Sequence, residues 1–268
     1  MNLAPRLPPR SAATIHQFLR SHVSQAHAEG VVVGLSGGID SAVTAQLARD
    51  ALGAGRVFGV QLPDAEFPPA LLAETEAFAA ARGIGHRLVS IGPAEEAIRR
   101  LLPEVHDRIS LGNLRARLRM IVLYTIARER HALVAGTGNK SEILLGYFTK
   151  YGDGGVDLLP IGDLYKTDVR ALARELHIPD AIQQRAPSAG FWEGQTDEEE
   201  IGLPYATLDP ILHGLEELRE PVDIASELGV PVEVVERIGT RVMENRHKRR
   251  LPPIPKLRLR TVGIDWRD

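Results

Sequence analysis

One stretch of the sequence indicates the fold class most clearly, namely Val31-Val32-Val33-Gly34-Leu35-Ser36-Gly37-Gly38-Ile39-Asp40-Ser41. It starts with a continuous apolar, β-branched run, which is typical of a strand buried on both faces in a parallel sheet. Two adjacent glycines follow, and they allow a tight turn and a close approach of backbone N–H groups to a ligand. A helical pattern then runs from about Ser41 to Leu52. The stretch therefore predicts a strand, an anion-binding turn and a helix N-terminus.

Strands and helices alternate along the first half of the chain. Short apolar runs predict further strands, and apolar residues at helical spacing predict the helices between them. The predicted strands lie at 57–62, 86–91 and 132–135, and the predicted helices at 12–28, 69–82 and 110–130. This order predicts an α/β fold with a doubly wound, Rossmann-like parallel sheet that helices cover on both faces.

The second half of the chain has a different character. A polar, acidic, glycine-containing stretch predicts a long mobile loop at 186–204, and long loops in compact domains are usually functional or mobile. Three helical stretches follow, and a proline-containing tail from Arg249 must be extended. We therefore expect a single domain over 1–268, with a nucleotide-binding core at 11–185, the loop at 186–204, and a helical part with its tail at 205–268.

Composition excludes several classes of protein. The chain has 268 residues and a net charge of −3, so it lacks the basic excess that is typical of a nucleic-acid binder. It has no cysteine, which excludes disulfides, thiolate metal sites and a cysteine nucleophile. No stretch approaches the roughly 18 apolar residues that a membrane span requires, and Met1 to Arg10 has no apolar signal-peptide core. We expect a cytoplasmic protein that binds neither membrane nor nucleic acid.

The glycine turn favours a phosphate ligand. Ser36 and Ser41 offer hydroxyl groups to phosphate oxygens, whereas Asp40 would repel phosphate and is therefore predicted to hold Mg²⁺. The spacing is not that of a Walker A loop. The alternative is an ordinary connection in which Asp40 or Ser41 caps the helix.

Two further segments carry candidate binding groups. Gly112 to Met120 places three arginines at alternate positions, with Arg115 and Arg119 on one helical face and Arg117 on another; the alternative is a solvated basic face. Gly136 to Glu142 follows the fourth strand, at the sheet edge where doubly wound folds bind ligands. Glu142 suits a second Mg²⁺ ligand, although a glutamate in a first helical turn is also favoured by the helix dipole alone.

The segment from Gly146 to Asp157 interleaves aromatic residues, glycines, one lysine and two aspartates. A loop with this composition has little packing purpose, so ligand binding is the better interpretation. The alternative is a glycine-rich surface loop with an aromatic anchor.

Together these motifs resemble the NAD synthetase family of the N-type ATP pyrophosphatases, over about Val31 to Asp268. The resemblance implies an adenine nucleotide alpha hydrolase-like fold. It also implies ATP contacts by Gly34, Leu35, Ser36, Gly37, Gly38, Ile39, Asp40, Ser41, Thr137, Lys166 and Ser188, and magnesium ligation by Asp40 and Glu142. For the dinucleotide deamido-NAD it implies contacts by Asn113, Arg117, Lys150, Asp157, His247 and Lys248.

The resemblance further implies the reaction, in which ATP adenylates a carboxylate of deamido-NAD and ammonia displaces AMP. Asp153 would lie near the ammonia site, and Asp153, Lys166 and Ser188 would be the catalytic residues. The family also implies a homodimer with the dinucleotide across the interface. The absence of cysteine excludes an internal glutaminase nucleophile, although the sequence leaves open a separate glutaminase subunit.

Two departures from the family pattern stand out. Many relatives have Thr-Asp-His-Ala-Ala-Glu where this chain has Thr-Gly-Asn-Lys-Ser-Glu, so Asn139 and Lys140 have no assigned role. Ser188 replaces a threonine and keeps its hydroxyl group.

Three points remain predictions from composition alone. The loop 186–204 and the basic segment 246–250 are candidate lids, and Trp192 and Trp266 are expected to be packing anchors. Two alternatives to the ligase stay open, namely another N-type pyrophosphatase, for example a tRNA-modifying enzyme, and a non-catalytic adenine-nucleotide-binding module.

Overall fold

A computed structural model describes residues 3–188 and 194–262. Trp192 and Trp266, and with them the prediction that they are packing anchors, lie outside the described residues. Within the described ranges the strands are β1 (Gly30–Gly34), β2 (Val57–Gln61), β3 (Gly85–Leu88) and β4 (Ala132–Ala135).

The helices of the first half are α1 (Ser11–Gln25), α2 (Ile39–Leu52), α3 (Pro69–Ala81), α4 (Gly92–Leu101), α5 (Arg108–Glu129) and α6 (Lys140–Leu145). Those that follow are α7 (Lys166–Glu175), α8 (Asp180–Gln183), α9 (Asp197–Ile201), α10 (Tyr205–Glu216), α11 (Pro221–Leu228) and α12 (Val232–Glu244). Among the described residues, no helix has both the length and the apolar character that crossing a membrane requires.

The strands form one parallel sheet in the order β3-β2-β1-β4. β1 pairs with β2 on one side and with β4 on the other, so Val31 lies opposite both Val57 and Leu133. The predicted doubly wound parallel sheet is confirmed. The chain leaves β1 for β2 in one direction and reaches β4 in the other. The carboxyl ends of β1 and β4 therefore flank a topological switch point, where such folds bind ligands.

Apolar residues fill the layers on both faces of the sheet. One core cluster joins α1, α2 and α7 to the sheet around Val33, and another joins α5 to it around Val32 and Val134. A third cluster holds α10, α11 and α12 together around the fully buried side chains of Tyr205 and Leu208. The helical C-terminal part is thus present as expected, whereas the division of the chain into units stays a prediction.

Pattern analysis missed two helices near the site. α4 was not predicted, although Pro93 in its first turn is typical of a helix start. The stretch 186–204 was predicted as a loop, but its described part contains α9, whose N-cap Thr196 accepts a hydrogen bond from the Glu199 N–H at 3.3 Å. Acidic residues fill the first turn of α9, where they stabilise the positive end of the helix dipole.

Candidate active site

A cavity of about 1100 Å³ opens at the carboxyl edge of the sheet, beyond the ends of β1 and β4. Most of the predicted ATP-binding, metal-binding and catalytic residues line it. These are Gly34, Leu35, Ser36, Gly38, Ile39, Asp40, Thr137, Glu142, Asp153, Lys166 and Ser188. Gly37 and Ser41 lie in the same turn without lining the cavity. The structure therefore brings together residues that are more than 150 positions apart in the sequence.

The glycine turn holds its shape through its own serines. Ser41 Oγ donates a hydrogen bond to the Gly38 carbonyl at 2.9 Å, and the Gly38 N–H donates one to Ser36 Oγ at 3.2 Å. The N-cap of α2 is Gly38, with no side-chain cap, so the alternative that Asp40 or Ser41 caps the helix is wrong. The first residues of α2 line the cavity, and the amides of a helix N-terminus suit an anion.

Gly37 is required by both conformation and space. Its φ is 80°, in the left-handed region that favours glycine. A Cβ at this position would overlap the side chain of Leu71 and approach Thr75 Oγ1 at 2.8 Å. The turn therefore packs tightly against α3, which fixes its backbone.

Lys166 lies at the charged centre of the cavity. Its side chain is 2 % exposed, and Nζ forms an ion pair with Asp40 Oδ2 and lies 3.7 Å from Glu142 Oε1. Burial alone would lower the pKa of Lys166, but the Asp40 and Glu142 carboxylates hold this pKa above its usual value, so the ammonium stays charged. Burial, reinforced by the Asp40 charge, raises the pKa of Glu142 to about 8.

Asn139 connects the two carboxylates, a role that sequence reasoning did not find. Its side chain is fully buried; Nδ2 donates to Asp40 Oδ1 at 3.1 Å, and Oδ1 accepts from the Glu142 N–H at 3.1 Å. Glu142 Oε2 accepts from the Asn139 N–H at 3.1 Å, which completes a capping box at the start of α6. Glu142 is therefore both a helix-capping residue and a wall of the cavity.

Lys140, the other residue without an assigned role, makes ion pairs elsewhere. Its Nζ lies 2.6 Å from Glu216 Oε1 and 3.0 Å from Asp163 Oδ1. It ties α6 to α10 and does not line the cavity.

The cavity wall near Lys166 carries a third carboxyl group besides those of Asp40 and Glu142. Asp197 at the start of α9 also lines it; this side chain is buried, accepts a hydrogen bond from Tyr205 Oη at 3.2 Å, and burial raises its pKa. Sequence reasoning missed Asp197 because nothing in its acidic neighbourhood marks one carboxylate as buried. Among the described residues no cluster of three or more metal-ligating side chains occurs. Mg²⁺ is commonly held by one or two carboxylates together with substrate phosphates, so Asp40 and Glu142 fit this ion.

The side chains of the three arginines of α5 lie on two faces of the helix, as their spacing predicts. Arg115 and Arg119 turn inward: Arg115 Nε lies 3.0 Å from Glu95 Oε1, and Arg119 Nη2 lies 2.9 Å from Asp64 Oδ2. Arg115 is buried, so the alternative of a solvated basic face is wrong for it. Arg117 is exposed on the other face and donates to the Lys150 carbonyl at 3.4 Å.

The aromatic and glycine-rich loop delivers Asp153 to the cavity. The Thr149 N–H donates to Asp153 Oδ1 at 2.8 Å, and Thr149 Oγ1 donates to Asn113 Oδ1 at 2.6 Å. Asp153 lines the cavity and is exposed as a residue, and desolvation by the surrounding protein raises the pKa of its carboxyl group. The loop thus links α5 to the cavity wall.

The residues predicted to contact the dinucleotide do not line this cavity, namely Asn113, Arg117, Lys150, Asp157, His247 and Lys248. Several of them lie together on an adjoining surface. Lys150 Nζ donates to the His247 carbonyl at 3.1 Å, and Lys248 Nζ donates to the Phe148 carbonyl at 2.9 Å. Asp157 accepts from the Val134 N–H at 2.8 Å and so also holds β4.

The family model described as NAD synthase matches residues 11–252. The NH(3)-dependent NAD(+) synthetase of Methanosarcina acetivorans is 46% identical over 246 residues, which cover 91% of this chain and 96% of the relative. The structure is similar to that of an NMN synthetase from Francisella tularensis, with a TM-score of 0.83, 34% identity, and coverage of 94% of this chain and 100% of that one.

It is also similar to an NH3-dependent NAD synthetase from Campylobacter jejuni, solved with a nitrate ion. The TM-score is 0.78 at 29% identity, with 96% of this chain and 100% of that chain covered. The predicted resemblance is confirmed: the chain belongs to the NAD synthase family.

Proposed function

We propose that this protein is an ATP-dependent ligase that converts deamido-NAD and ammonia to NAD, with release of AMP and pyrophosphate. One observation carries the proposal: the buried Lys166 ammonium lies between Asp40 and Glu142, directly beside the phosphate-binding turn. This arrangement suits charge neutralisation at a phosphoryl group rather than ATP binding alone. The ammonia dependence is supported by the relatives named above and by the absence of a cysteine that could serve a glutaminase.

In the first step the nicotinate carboxylate attacks the α-phosphorus of ATP, and pyrophosphate leaves. The turn amides at the α2 N-terminus hold the phosphates, and Lys166 neutralises the charge that develops on their oxygens. Asp40 and Glu142 would hold Mg²⁺, which when bound supplies further charge neutralisation at the phosphates. Adenylation makes AMP the leaving group, because oxide cannot leave from a carboxylate.

In the second step ammonia attacks the acyl carbon of the adenylate, AMP leaves, and one proton is released. Asp153 is the candidate group that holds an ammonium ion at the cavity wall. A base must take a proton from this ammonium ion before the resulting ammonia can attack. Ser188, which lines the cavity mouth, keeps a hydroxyl group for a phosphate oxygen. The cavity walls would limit the access of water to the adenylate.

We further propose a cytoplasmic homodimer. The predicted dinucleotide contacts lie on a surface beside the cavity rather than within it, so one protomer would hold ATP and share the dinucleotide with its partner. Lys150 and Lys248 would thus belong to the dinucleotide surface and Lys166 to the ATP cavity. The loop 146–157 connects these two regions.

A second candidate substrate is the corresponding mononucleotide, because a neighbour with a TM-score of 0.83 is an NMN synthetase. The test is to measure pyrophosphate release and amide formation with ATP and Mg²⁺, using either deamido-NAD or deamido-NMN, with and without ammonium. We expect NAD and one pyrophosphate per NAD with deamido-NAD. Faster amidation of deamido-NMN would favour the second candidate. Pyrophosphate release without either substrate, or none in any condition, would contradict the ligase.

A further inference from the structure

Asp209 lies on α10 in the interior of the molecule, and its side chain is 0 % exposed. Its Oδ1 accepts a hydrogen bond from Ser141 Oγ at 2.6 Å, and its Oδ2 accepts one from the Thr167 N–H at 2.8 Å. Ser141 Oγ in turn accepts a hydrogen bond from the Lys166 N–H at 3.0 Å. One carboxylate of the helical part thus contacts both α6 and the start of α7.

These contacts satisfy amide groups that helix geometry leaves without partners, since the first N–H groups of a helix have no acceptor within it. Lys166 and Thr167 supply the first two amides of α7, and the side chains of Ser141 and Asp209 accept from them. The carboxylate also lies at the positive end of the α7 dipole, which favours its negative charge. Side chains that lie outside α7 therefore hold its first turn in place.

The same contacts connect the two charged groups that face the phosphate turn. Ser141 precedes Glu142 in α6, and Lys166 Nζ lies 3.7 Å from Glu142 Oε1. Because Ser141 and the start of α7 are both held by Asp209, this carboxylate fixes how far the backbone of Glu142 lies from that of Lys166. Lys140 and Glu216 tie the same helices together, but through side chains that point away from the cavity.

We propose that Asp209 is a positioning residue that sets the separation of Lys166 from Glu142, and thereby the rate of adenylation. The inference rests on the proposed function, since it assigns how the same site is held in place. Asp209 does not line the cavity, so its effect must reach the substrate through Lys166.

Asp209→Asn and Ser141→Ala test the proposal in the full chain. The first keeps the size of the side chain and one acceptor oxygen, whereas the second removes only the bridging hydroxyl group. A displacement of a catalytic group by about 1 Å can cost on the order of 10²-fold in rate. We expect kcat per folded protein to fall by about 10- to 100-fold in both variants. The KM values for ATP and deamido-NAD should change little, because neither residue contacts a substrate.

Glu216→Gln is the matched control. Glu216 is a carboxylate on the same helix that also holds α6 and the N-cap of α7, through Lys140 Nζ at 2.6 Å and Tyr165 Oη at 2.6 Å. We expect this variant to lower the thermal midpoint while kcat per folded protein stays at the wild-type value.

The possible outcomes distinguish failure of the positioning role of Asp209 from failure of the proposed ligase function. Unchanged kcat in either Ser141→Ala or Asp209→Asn would show that Asp209 does not position Lys166. An equal loss of kcat in Glu216→Gln would show that any loosening of α10 suffices, and either result overturns the proposal. If Asp209→Asn does not fold, Ser141→Ala decides alone. A wild-type protein that makes no NAD refutes the proposed function and this inference with it, whereas an active wild type with a fully active Ser141→Ala refutes the positioning role only.

Discussion

At the scale of single residues, the site depends on the charge of Lys166. Its ammonium is nearly fully buried, and isolated buried charges are costly unless they are paired. Asp40 pairs with this ammonium, and Glu142 and Asp197 also line the cavity near it. Carboxyl oxygens are ligands that suit a divalent cation beside the phosphates of ATP.

Lys166→Met removes the charge and keeps most of the side-chain volume. We expect kcat to fall by about 10²- to 10³-fold, because loss of one preorganised group that stabilises developing charge typically costs this much. Steady-state kinetics per folded protein measures the effect. Lys140→Met is the control, since this lysine pairs with Glu216 and Asp163 outside the cavity and should leave kcat unchanged. Equal losses in the two variants would remove Lys166 from the reaction.

Asn139→Ala and Asn139→Asp separate the two contacts of this side chain. The alanine variant loses the helix cap and should lower the free energy of unfolding by about 1 kcal/mol. The aspartate variant keeps the cap oxygen but places a carboxylate opposite Asp40, which accepts a hydrogen bond from Asn139 Nδ2 at 3.1 Å. We expect it to fold and to reach half-maximal rate at a lower Mg²⁺ concentration, because the added carboxylate increases the negative charge beside Asp40. An unchanged Mg²⁺ requirement would contradict the assignment of Asp40 as a ligand.

At the scale of elements, neighbouring groups fix the backbone of the turn between β1 and α2, which we propose binds phosphate. Gly37 packs against Leu71 of α3, and the serines on either side bond to the turn itself. The first amides of α2 would then bind an anion without rearrangement of the turn.

Gly37→Ala should disrupt this turn. A non-glycine residue at φ 80° is strained, and the added methyl group would overlap Leu71. We expect the Kd for ATP, measured by calorimetry, to rise at least tenfold, which corresponds to about 1.4 kcal/mol. Gly229→Ala is the control, because it has φ 65° with nothing within 4 Å of the added Cβ and lies at the end of α11. An ATP affinity that is equal in both variants would contradict the role of the turn.

Elements that depend on local pattern could be predicted from the sequence, and contacts over long separations could not. The strand predicted to begin at Val31 and the turn that follows it are local features, and the structure has the strand as β1 (Gly30–Gly34), with the turn between it and α2. The bond from Asn139 to Asp40 spans 99 positions, and the bond from Ser141 to Asp209 spans 68. Only tertiary packing brings such groups together, and asparagine or aspartate in a helical stretch carries no signal of its partner.

At the scale of the whole molecule, the candidate residues form two groups. Most of those proposed for ATP, magnesium and catalysis line the cavity, and several of those predicted for the dinucleotide lie on the adjoining surface around the loop 146–157. The loop belongs to both groups, because it carries Asp153 into the cavity and Lys150 outside it. The sequence motif could not reveal this division, because neighbouring residues of a loop can face opposite sides.

Lys150→Ala tests whether the surface that holds the dinucleotide is separate from the cavity that holds ATP. We expect the KM for deamido-NAD to rise about tenfold, a cost of about 1.4 kcal/mol, while the KM for ATP stays unchanged. Sedimentation of the wild-type protein at enzyme-assay concentration should give a dimer. A rise in the KM for ATP, or a monomer with full activity, would contradict the shared dinucleotide site.

We propose that ATP activates a carboxylate by adenylation in this cavity. The test uses deamido-NAD labelled with ¹⁸O in its nicotinate carboxylate, with ATP, Mg²⁺ and ammonium present. We expect one ¹⁸O per turnover in AMP and none in pyrophosphate, as measured by mass spectrometry. AMP without label, or NAD formed without AMP, would contradict this proposal.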